Sequence, residues 1–220
     1  MMTIRKATVL KALQAAIDRV KNASASSCYA QGKAFELKVL ARLLSDLRLH
    51  RYTLTCTPKA KNHLTFGGAP CRPNGAGHDC IHVRKGTENY EFWVSVQFTT
   101  LSYGLGAKGL SPTHSDLHEI DVGLFEPLTG PAYPSLKQVA FAASCKAGAW
   151  SKMFAREALG LRRELGLLAE PVTSRATWFV DAVPASPAIP LALFSGDPNC
   201  TTYRGSLEKL GLYVHYLKAN

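Results

Sequence analysis

The stretch of sequence that decides the fold reads HEIDVGLF at residues 118–125 and VAFAASCK at residues 139–146. A loop that contains proline and glycine separates these two apolar segments. Short apolar segments bounded by turn residues are typical of buried β-strands. The stretch therefore predicts two neighbouring strands of a buried sheet.

Polar residues interrupt both predicted strands. Alternate residues of a strand share a face, so Ser144 and Lys146 are predicted to point the same way, as are Glu119 and Asp121. A carboxylate or an ammonium group at the end of a buried strand is costly unless it is paired or coordinates an ion. The ends of the two strands are therefore predicted to form a functional site.

The order of these residues resembles the core of the PD-(D/E)XK nuclease superfamily, which has the restriction-endonuclease-like fold. In that family an acid on one strand is followed, after a hairpin, by a strand that ends in acid-x-Lys. Asp121 stands at the position of the first acid and Lys146 at that of the lysine, while Ser144 stands where the family has its second acid. Glu36, on a preceding predicted helix, matches the acid of the family's first helix. The resemblance covers roughly residues 30–180.

The resemblance implies hydrolysis of DNA phosphodiester bonds with Mg²⁺ or Mn²⁺ as the cofactor. Asp121, Glu36 and the backbone carbonyl oxygen of Cys145 would be the metal ligands, because hard cations prefer oxygen, and Glu119 is a further candidate ligand. Lys146 would orient or deprotonate the attacking water, or stabilise the charge on the phosphate. The metal and the apolar strands are expected to lower the pKa of Lys146.

Ser144 departs from the family pattern, which has an acid at this position. A hydroxyl is a weaker metal ligand than a carboxylate, so the site would hold the metal less tightly. Glu119, Glu157 or a shell of water around Ser144 would compensate for the missing acid. The alternative interpretation is a catalytically degenerate site, in which the same fold binds nucleic acid or a partner protein without cutting. An acid close to Ser144 in space would favour the nuclease, and purely apolar surroundings would favour the binding module.

Basic residues are expected to contact the nucleic acid. The chain has 26 lysines and arginines against 16 acidic residues, a net charge of +10, which favours polyanions through neutralisation of phosphates. Lys152 and Arg156, on the helix predicted over residues 150–168, and His118 are the expected phosphate contacts. Double-stranded DNA is the expected partner, in restriction, repair or defence against phage. A homodimer, or a partner protein of a larger system, is compatible with the same family.

The composition is that of one globular domain of 220 residues, 46% hydrophobic and 19% charged. No apolar run approaches the roughly 20 residues that cross a bilayer, and the first residues lack a secretory signal, so a cytoplasmic location without membrane contact is expected. The predicted fold class is α/β, with a mixed central sheet flanked by helices. The predicted domain contains a helical segment at 1–29, a second helix at 30–49, a loop-rich or β-ribbon insertion at 51–83, a strand at 177–180, and a proline-rich connection with a last strand at 184–220.

Six cysteines are scattered along the chain, and in a cytoplasmic protein they are expected to be free thiols. Several cysteines and histidines lie close together in sequence between Cys56 and His82. Soft ligands at this density are able to hold zinc, but the segment contains no Cys-x-x-Cys pair. The alternation of Cys80 and His82 with Ile81 and Val83 fits an ordinary strand equally well. Structural zinc is therefore not expected.

Overall fold

The computed structural model of the protein describes residues 4–23, 28–56, 58, 64–66, 70, 72–73, 78–106, 111–128 and 132–219. Within these residues the helices are α1 Lys6–Ala23, α2 Cys28–Leu49, α3 Leu101–Gly106, α4 Lys152–Leu165 and α5 Arg204–Leu207. The strands are β1 Ile4–Arg5, β2 Thr53–Cys56, β3 Ile81–Lys85, β4 Glu88–Thr99, β5 Leu117–Phe125, β6 Val139–Lys146, β7 Leu167–Thr173, β8 Ala182–Ser186, β9 Leu191–Ser195 and β10 Leu212–Tyr216. The predicted α/β class with a mixed central sheet is confirmed. None of the described helices is long and apolar enough to cross a bilayer.

The central sheet contains eight of the described strands, in the order β1-β2-β3-β4-β5-β6-β9-β10. Neighbours from β1 to β6 pair antiparallel, whereas β9 pairs parallel with both β6 and β10. Parallel neighbours need a crossover connection, and α4 supplies the helix of that crossover between β6 and β9. β7 and β8 form a separate antiparallel ribbon within the same connection.

Helices cover the two faces of the sheet and bury two separate cores. α1 and α2 pack on one face, here called the α2 face, through apolar residues at helical spacing: Val9, Leu13, Phe35, Val39, Leu40, Leu43 and Leu47. α4 packs on the opposite face, here called the α4 face, through Ala155, Ala158, Leu161 and Leu165. α4 begins after Ser151, whose side chain accepts a hydrogen bond from the backbone N–H of Met153 as an N-cap.

The alternation of buried residues breaks in the middle of β4. Val94 packs in the core of the α2 face, whereas Val96, two residues further on, packs in the core of the α4 face. Ser95 lies between them with a φ of +51°, a left-handed conformation that residues other than glycine adopt only at a cost. The local backbone of Ser95 therefore switches the strand from one face to the other.

The same switch occurs in the neighbouring strand β5. Ile120 belongs to the core of the α4 face and Val122 to that of the α2 face, with Asp121 between them. Ser95 and Asp121 lie between the same two cross-strand pairs, which are Val94–Val122 and Val96–Ile120. Ser95 and Asp121 thus lie where the regular alternation of side chains between the two faces of the sheet is interrupted.

Two predictions for the last third of the chain are wrong. Residues 177–180, predicted as a strand, form a turn, and residues 184–198, predicted as a connection, contain β9 and most of β8. The prolines led to the prediction of a connection in place of β9. Pro190 and Pro198 flank this interior strand and do not interrupt it. Proline is tolerated outside a ladder because there it removes no hydrogen bond from the sheet.

The remaining predicted segments agree with the structure in part. The helix predicted to run to residue 168 ends at Leu165, because Gly166 follows and β7 begins at Leu167. The insertion predicted at 51–83 begins with β2 and ends within β3, and these two strands pair in the main sheet. Most of the intervening segment lies outside the described residues.

Candidate functional site

The first part of the site is a buried contact between α2 and β4. Lys33 and Glu36 lie one turn apart on α2, and the Nζ atom of Lys33 lies 2.5 Å from Oε2 of Glu36. The same Nζ donates to Oγ of Ser95 at 2.5 Å, and this hydroxyl donates to Oε2 of Glu36 at 3.1 Å. Lys33 and Ser95 are 5% and 1% exposed. The three side chains therefore close a hydrogen-bonded ring away from water.

Glu36 is an acid whose ionisation is opposed by its surroundings. Burial raises the pKa of Glu36 to about 7, although the Lys33 ammonium group lowers it, and the Asp121 carboxylate raises it further. Glu36 is therefore protonated far more readily than an ordinary glutamate. The electrostatic coupling shows that the acid of α2 and the acid of β5 share one region.

Asp121 lies where the ladder between β5 and β6 ends. The last cross-strand pair is Val122–Ala143, and beyond it the backbone N–H of Cys145 donates to Oδ2 of Asp121 at 2.6 Å. The hydroxyl of Ser144 donates to the same oxygen over a longer distance of 3.4 Å. Burial raises the pKa of Asp121, against the lowering effects of the Cys145 N–H and of nearby ammonium groups. Ser144 thus contacts Asp121 directly.

The backbone of Cys145 faces the same acid. The N–H and C=O groups of one strand residue point to the same neighbouring strand, and the N–H of Cys145 is directed at Asp121. The carbonyl oxygen expected as a metal ligand is therefore on the Asp121 side of β6. Burial raises the pKa of the Cys145 thiol well above its ordinary value, so the sulfur is held neutral.

Lys146 is paired with an acid from the α4 face. Its Nζ atom donates to Oε1 of Glu157 at 2.6 Å and lies 5.5 Å from the centre of the Phe154 ring. The lowering of its pKa was expected beside a bound metal, and the protein groups alone act in the opposite direction. Burial does lower the pKa of Lys146, but the hydrogen bond to Glu157 and the charges of Asp121 and Glu157 together raise it above its ordinary value. Lys146 is therefore an ammonium group at neutral pH.

Glu119 is the third acid of the region. Burial and the charge of Asp121 raise its pKa, whereas Ser95, Lys33 and Lys146 lower it. Three acids with raised pKa values thus share one region with two ammonium groups. Such crowding of carboxylates is typical of functional sites, and a bound cation would relieve it.

The expected phosphate contacts lie on the surface. Lys152 and Arg156 are exposed on α4, and their spacing of four residues places them on one side of the helix. His118 is exposed near the start of β5, opposite Phe98 of β4. All three side chains are accessible to a large ligand.

Sequence reasoning missed Lys33 and Ser95 as members of the site. A signal was present for each: Lys33 lies within one helical turn of Glu36, and Ser95 interrupts the apolar strand FWVSVQF. Sequence reasoning also left unused Glu91, which the structure places beside Cys80 and His82. These three form a second group of metal-ligating side chains on another part of the sheet.

Comparisons of the chain with protein-family models, with curated proteins and with solved structures found no match. What the protein does is therefore inferred from the site: three half-buried acids, two ammonium groups and a backbone carbonyl at the point where the pairing of β5 with β6 ends.

Proposed function

We propose that the protein is a metal-dependent nuclease that hydrolyses phosphodiester bonds of double-stranded DNA. The observation that carries the proposal is the convergence of Glu36, Glu119 and Asp121, with Lys146 on the adjoining strand. The order of the elements along the chain supports the proposal. A helix that carries an acid, Glu36, precedes the two strands that carry Asp121 and Lys146, and a further helix follows them. This is the order in the PD-(D/E)XK superfamily that the sequence resembles.

The donor atoms fit a hard divalent cation. Carboxylate oxygens of Asp121, Glu36 and Glu119 and the carbonyl oxygen of Cys145 are the ligand types that Mg²⁺ and Mn²⁺ prefer. Such an ion, when bound, would polarise the phosphate and make a bound water a stronger nucleophile. The acids must lose their protons to act as ligands, so we expect metal affinity to rise as the pH passes through the pKa of about 7 at Glu36.

The two lysines have different roles in this proposal. Lys146 is an ammonium group held by Glu157, so it is suited to stabilise negative charge on the phosphate and to orient a water. A bound cation would lower the pKa of Lys146, and the role of general base that the resemblance also implies would need that change. Lys33 is buried and bonded to Glu36, so it holds that carboxylate in position without reaching the DNA.

The surface charge agrees with a nucleic-acid substrate. The chain carries a net charge of +10, and the exposed Lys152 and Arg156 belong to the helix whose Glu157 holds Lys146. Contacts of such side chains to phosphates position a duplex without reading its sequence. We therefore expect binding that weakens steeply with salt.

The test is cleavage of supercoiled and linear DNA with Mg²⁺, with Mn²⁺ and with EDTA. Wild type is compared with Asp121→Asn and Lys146→Met, and with the matched controls Asp181→Asn and Lys209→Met, which change exposed residues elsewhere. The proposal expects metal-dependent cutting that both site variants lose and both controls keep. Cutting that survives Asp121→Asn would refute it.

One observation favours a second function, a DNA-binding module without catalysis. The position of the family's second acid holds Ser144, whose hydroxyl donates to Asp121 and supplies no negative charge. A protein that shifts DNA in a gel yet cuts neither DNA nor RNA with either metal would establish this alternative. Cutting of RNA alone would keep the chemistry and change the substrate.

A further inference from the structure

Three side chains with metal-binding atoms converge on the α4 face of the sheet, away from Asp121. His82 of β3 pairs across the strands with Glu91 of β4, and Cys80 directly precedes β3, two residues from His82. Sγ of Cys80 lies 3.8 Å from Nε2 of His82, and Nδ1 of His82 lies 3.6 Å from Oε1 of Glu91. One ligand atom from each residue lies within 4.8 Å of the other two.

We propose that Cys80, His82 and Glu91 bind a divalent transition-metal ion of the zinc class. Thiolate, imidazole and carboxylate are the three ligand types of protein zinc sites, whereas a sulfur ligand disfavours Mg²⁺. Ligands held 2.0–2.3 Å from a tetrahedral ion lie roughly 3.3–3.8 Å from one another. The 3.8 Å and 3.6 Å distances involve different ring nitrogens of His82, so for one ion the limit that applies to all three ligand atoms is 4.8 Å. Binding therefore needs an inward movement of the side chains of about 1 Å.

The carboxylate is already oriented for this role. Glu91 is 8% exposed, and its Oε2 accepts hydrogen bonds from Nε1 of Trp93 at 3.0 Å and from the backbone N–H of Leu128 at 3.3 Å. Those bonds leave Oε1 on the His82 side. Groups that hold a ligating carboxylate in this way are typical of the surroundings of metal sites, and they reduce the ordering needed on binding.

The Cys80 sulfur and the Glu91 carboxylate contact different nitrogens of the His82 ring, as in a relay, yet they also lie close to each other. In a thiol–imidazole–carboxylate relay the imidazole ring stands between the other two groups, which keeps sulfur and carboxylate far apart. Here the Cys80 sulfur and a Glu91 oxygen are themselves within 4.8 Å. One ion is therefore within reach of all three groups, and three protein ligands leave a fourth position for water or a further ligand.

The proposed ion lies apart from the nuclease site. Glu91 pairs with Phe125, which is four residues along β5 from Asp121, a separation of about 13 Å at the usual rise of a strand. The two metal proposals are consequently independent. Each is tested with variants that leave the other site intact.

The test uses Co²⁺ as a spectroscopic probe for the zinc-class site. The chelator-treated protein is titrated with Co²⁺ and then with competing Zn²⁺. We expect one equivalent of Co²⁺ to give a thiolate-to-metal band in the near ultraviolet and intense visible bands of a four-coordinate ion, both abolished by Zn²⁺. Cys80→Ser should remove the near-ultraviolet band, and Cys80→Ser and His82→Ala should each weaken Zn²⁺ binding by at least about tenfold.

Two control variants make the result decisive. Cys200→Ala removes a fully buried thiol from the same face, and Asp181→Asn changes an exposed acid elsewhere, so both should give the same near-ultraviolet band with Co²⁺ as the wild type. Circular dichroism in EDTA checks that Cys80→Ser is folded. Absence of the sulfur band in the wild type, or unchanged Zn²⁺ affinity in Cys80→Ser, would overturn the proposal.

Discussion

Replacing Glu36 with glutamine tests the electrostatics of the nuclease site without any substrate. Glutamine has nearly the same shape and never ionises, so it reproduces the protonated form of Glu36 at every pH. The side chain of Glu36 is 14% exposed, and its contacts are Lys33 and Ser95. The variant therefore isolates the cost of placing a negative charge at this position.

The magnitude follows from the pKa of Glu36. The pKa is 4.5 in an ordinary environment and about 7 in the folded protein, which corresponds to about 3 kcal/mol of unfavourable ionisation. Between these values the folded protein binds more protons than the unfolded chain, so its free energy of unfolding falls as the pH rises. The contribution is fully present below about pH 4.5 and lost above about pH 7. Glu36→Gln should match the wild type near pH 4.5 and exceed it by up to about 3 kcal/mol at pH 8.

The measurement is urea unfolding followed by circular dichroism, from pH 4.5 to pH 8 in the presence of EDTA. The control is Glu170→Gln, which changes an exposed acid on β7 and should follow the wild type at every pH. Adding Mg²⁺ at pH 8 should narrow the gap, because the ion binds the ionised acids of the wild type more tightly. A wild type that is as stable as Glu36→Gln at pH 8 without metal would refute the reasoning. It would mean that the ion pair with Lys33 outweighs the burial of the charge.

Three further substitutions address other parts of the nuclease proposal. Ser144→Asp places a second carboxylate beside Asp121, so we expect it to lower the free energy of unfolding at pH 8 in EDTA by about 1–3 kcal/mol and to lower the Mg²⁺ concentration for half-maximal cleavage. An unchanged Mg²⁺ requirement would place the ion away from this residue. Ser95→Ala removes the hydroxyl that accepts from the buried Lys33, and urea unfolding should show a loss of about 1–3 kcal/mol; a loss below about 0.5 kcal/mol would contradict the hydrogen-bonded ring. Arg156→Glu should weaken DNA binding and reduce the slope of log affinity against log salt by about one, as measured by fluorescence anisotropy. A slope equal to that of the wild type would show that this side chain does not contact a phosphate.

The local sequence pattern was sufficient to predict the helix and the two strands that carry the site residues. The strands predicted at 118–125 and 139–146 are observed at Leu117–Phe125 and Val139–Lys146, and the second helix predicted at 30–49 is observed at Cys28–Leu49. These segments have apolar residues at a regular period, and such a period is a property of neighbouring residues alone. The same pattern placed Asp121 and Ser144 on adjacent predicted strands, but the long connection between Phe125 and Val139 does not set which residues lie opposite one another.

The local spacing of apolar residues did not predict contacts between segments that are distant along the chain. Lys33 and Ser95 are 62 residues apart in sequence. The switch of β4 from one face to the other at Ser95 depends on a positive φ, which the spacing of apolar residues does not predict. The pairing of Lys146 with Glu157, which raises the pKa of this lysine, was not foreseen because the crossover helix brings Glu157 to it from the α4 face. β9 was missed for a related reason: its identity as an interior strand comes from pairing with β6 and β10 and not from its own residues.

The sequence by itself determined the helices, the central hairpin and the residue types available for chemistry, because each of these depends on local spacing and composition. Only the tertiary structure decided which charged side chains lie close together. Glu36, Asp121 and Lys146 share one region, and Glu91 completes a group with Cys80 and His82, because strand register and helix docking set these distances. A pKa or a ligand set depends on distance and burial, which exist only once the chain has folded.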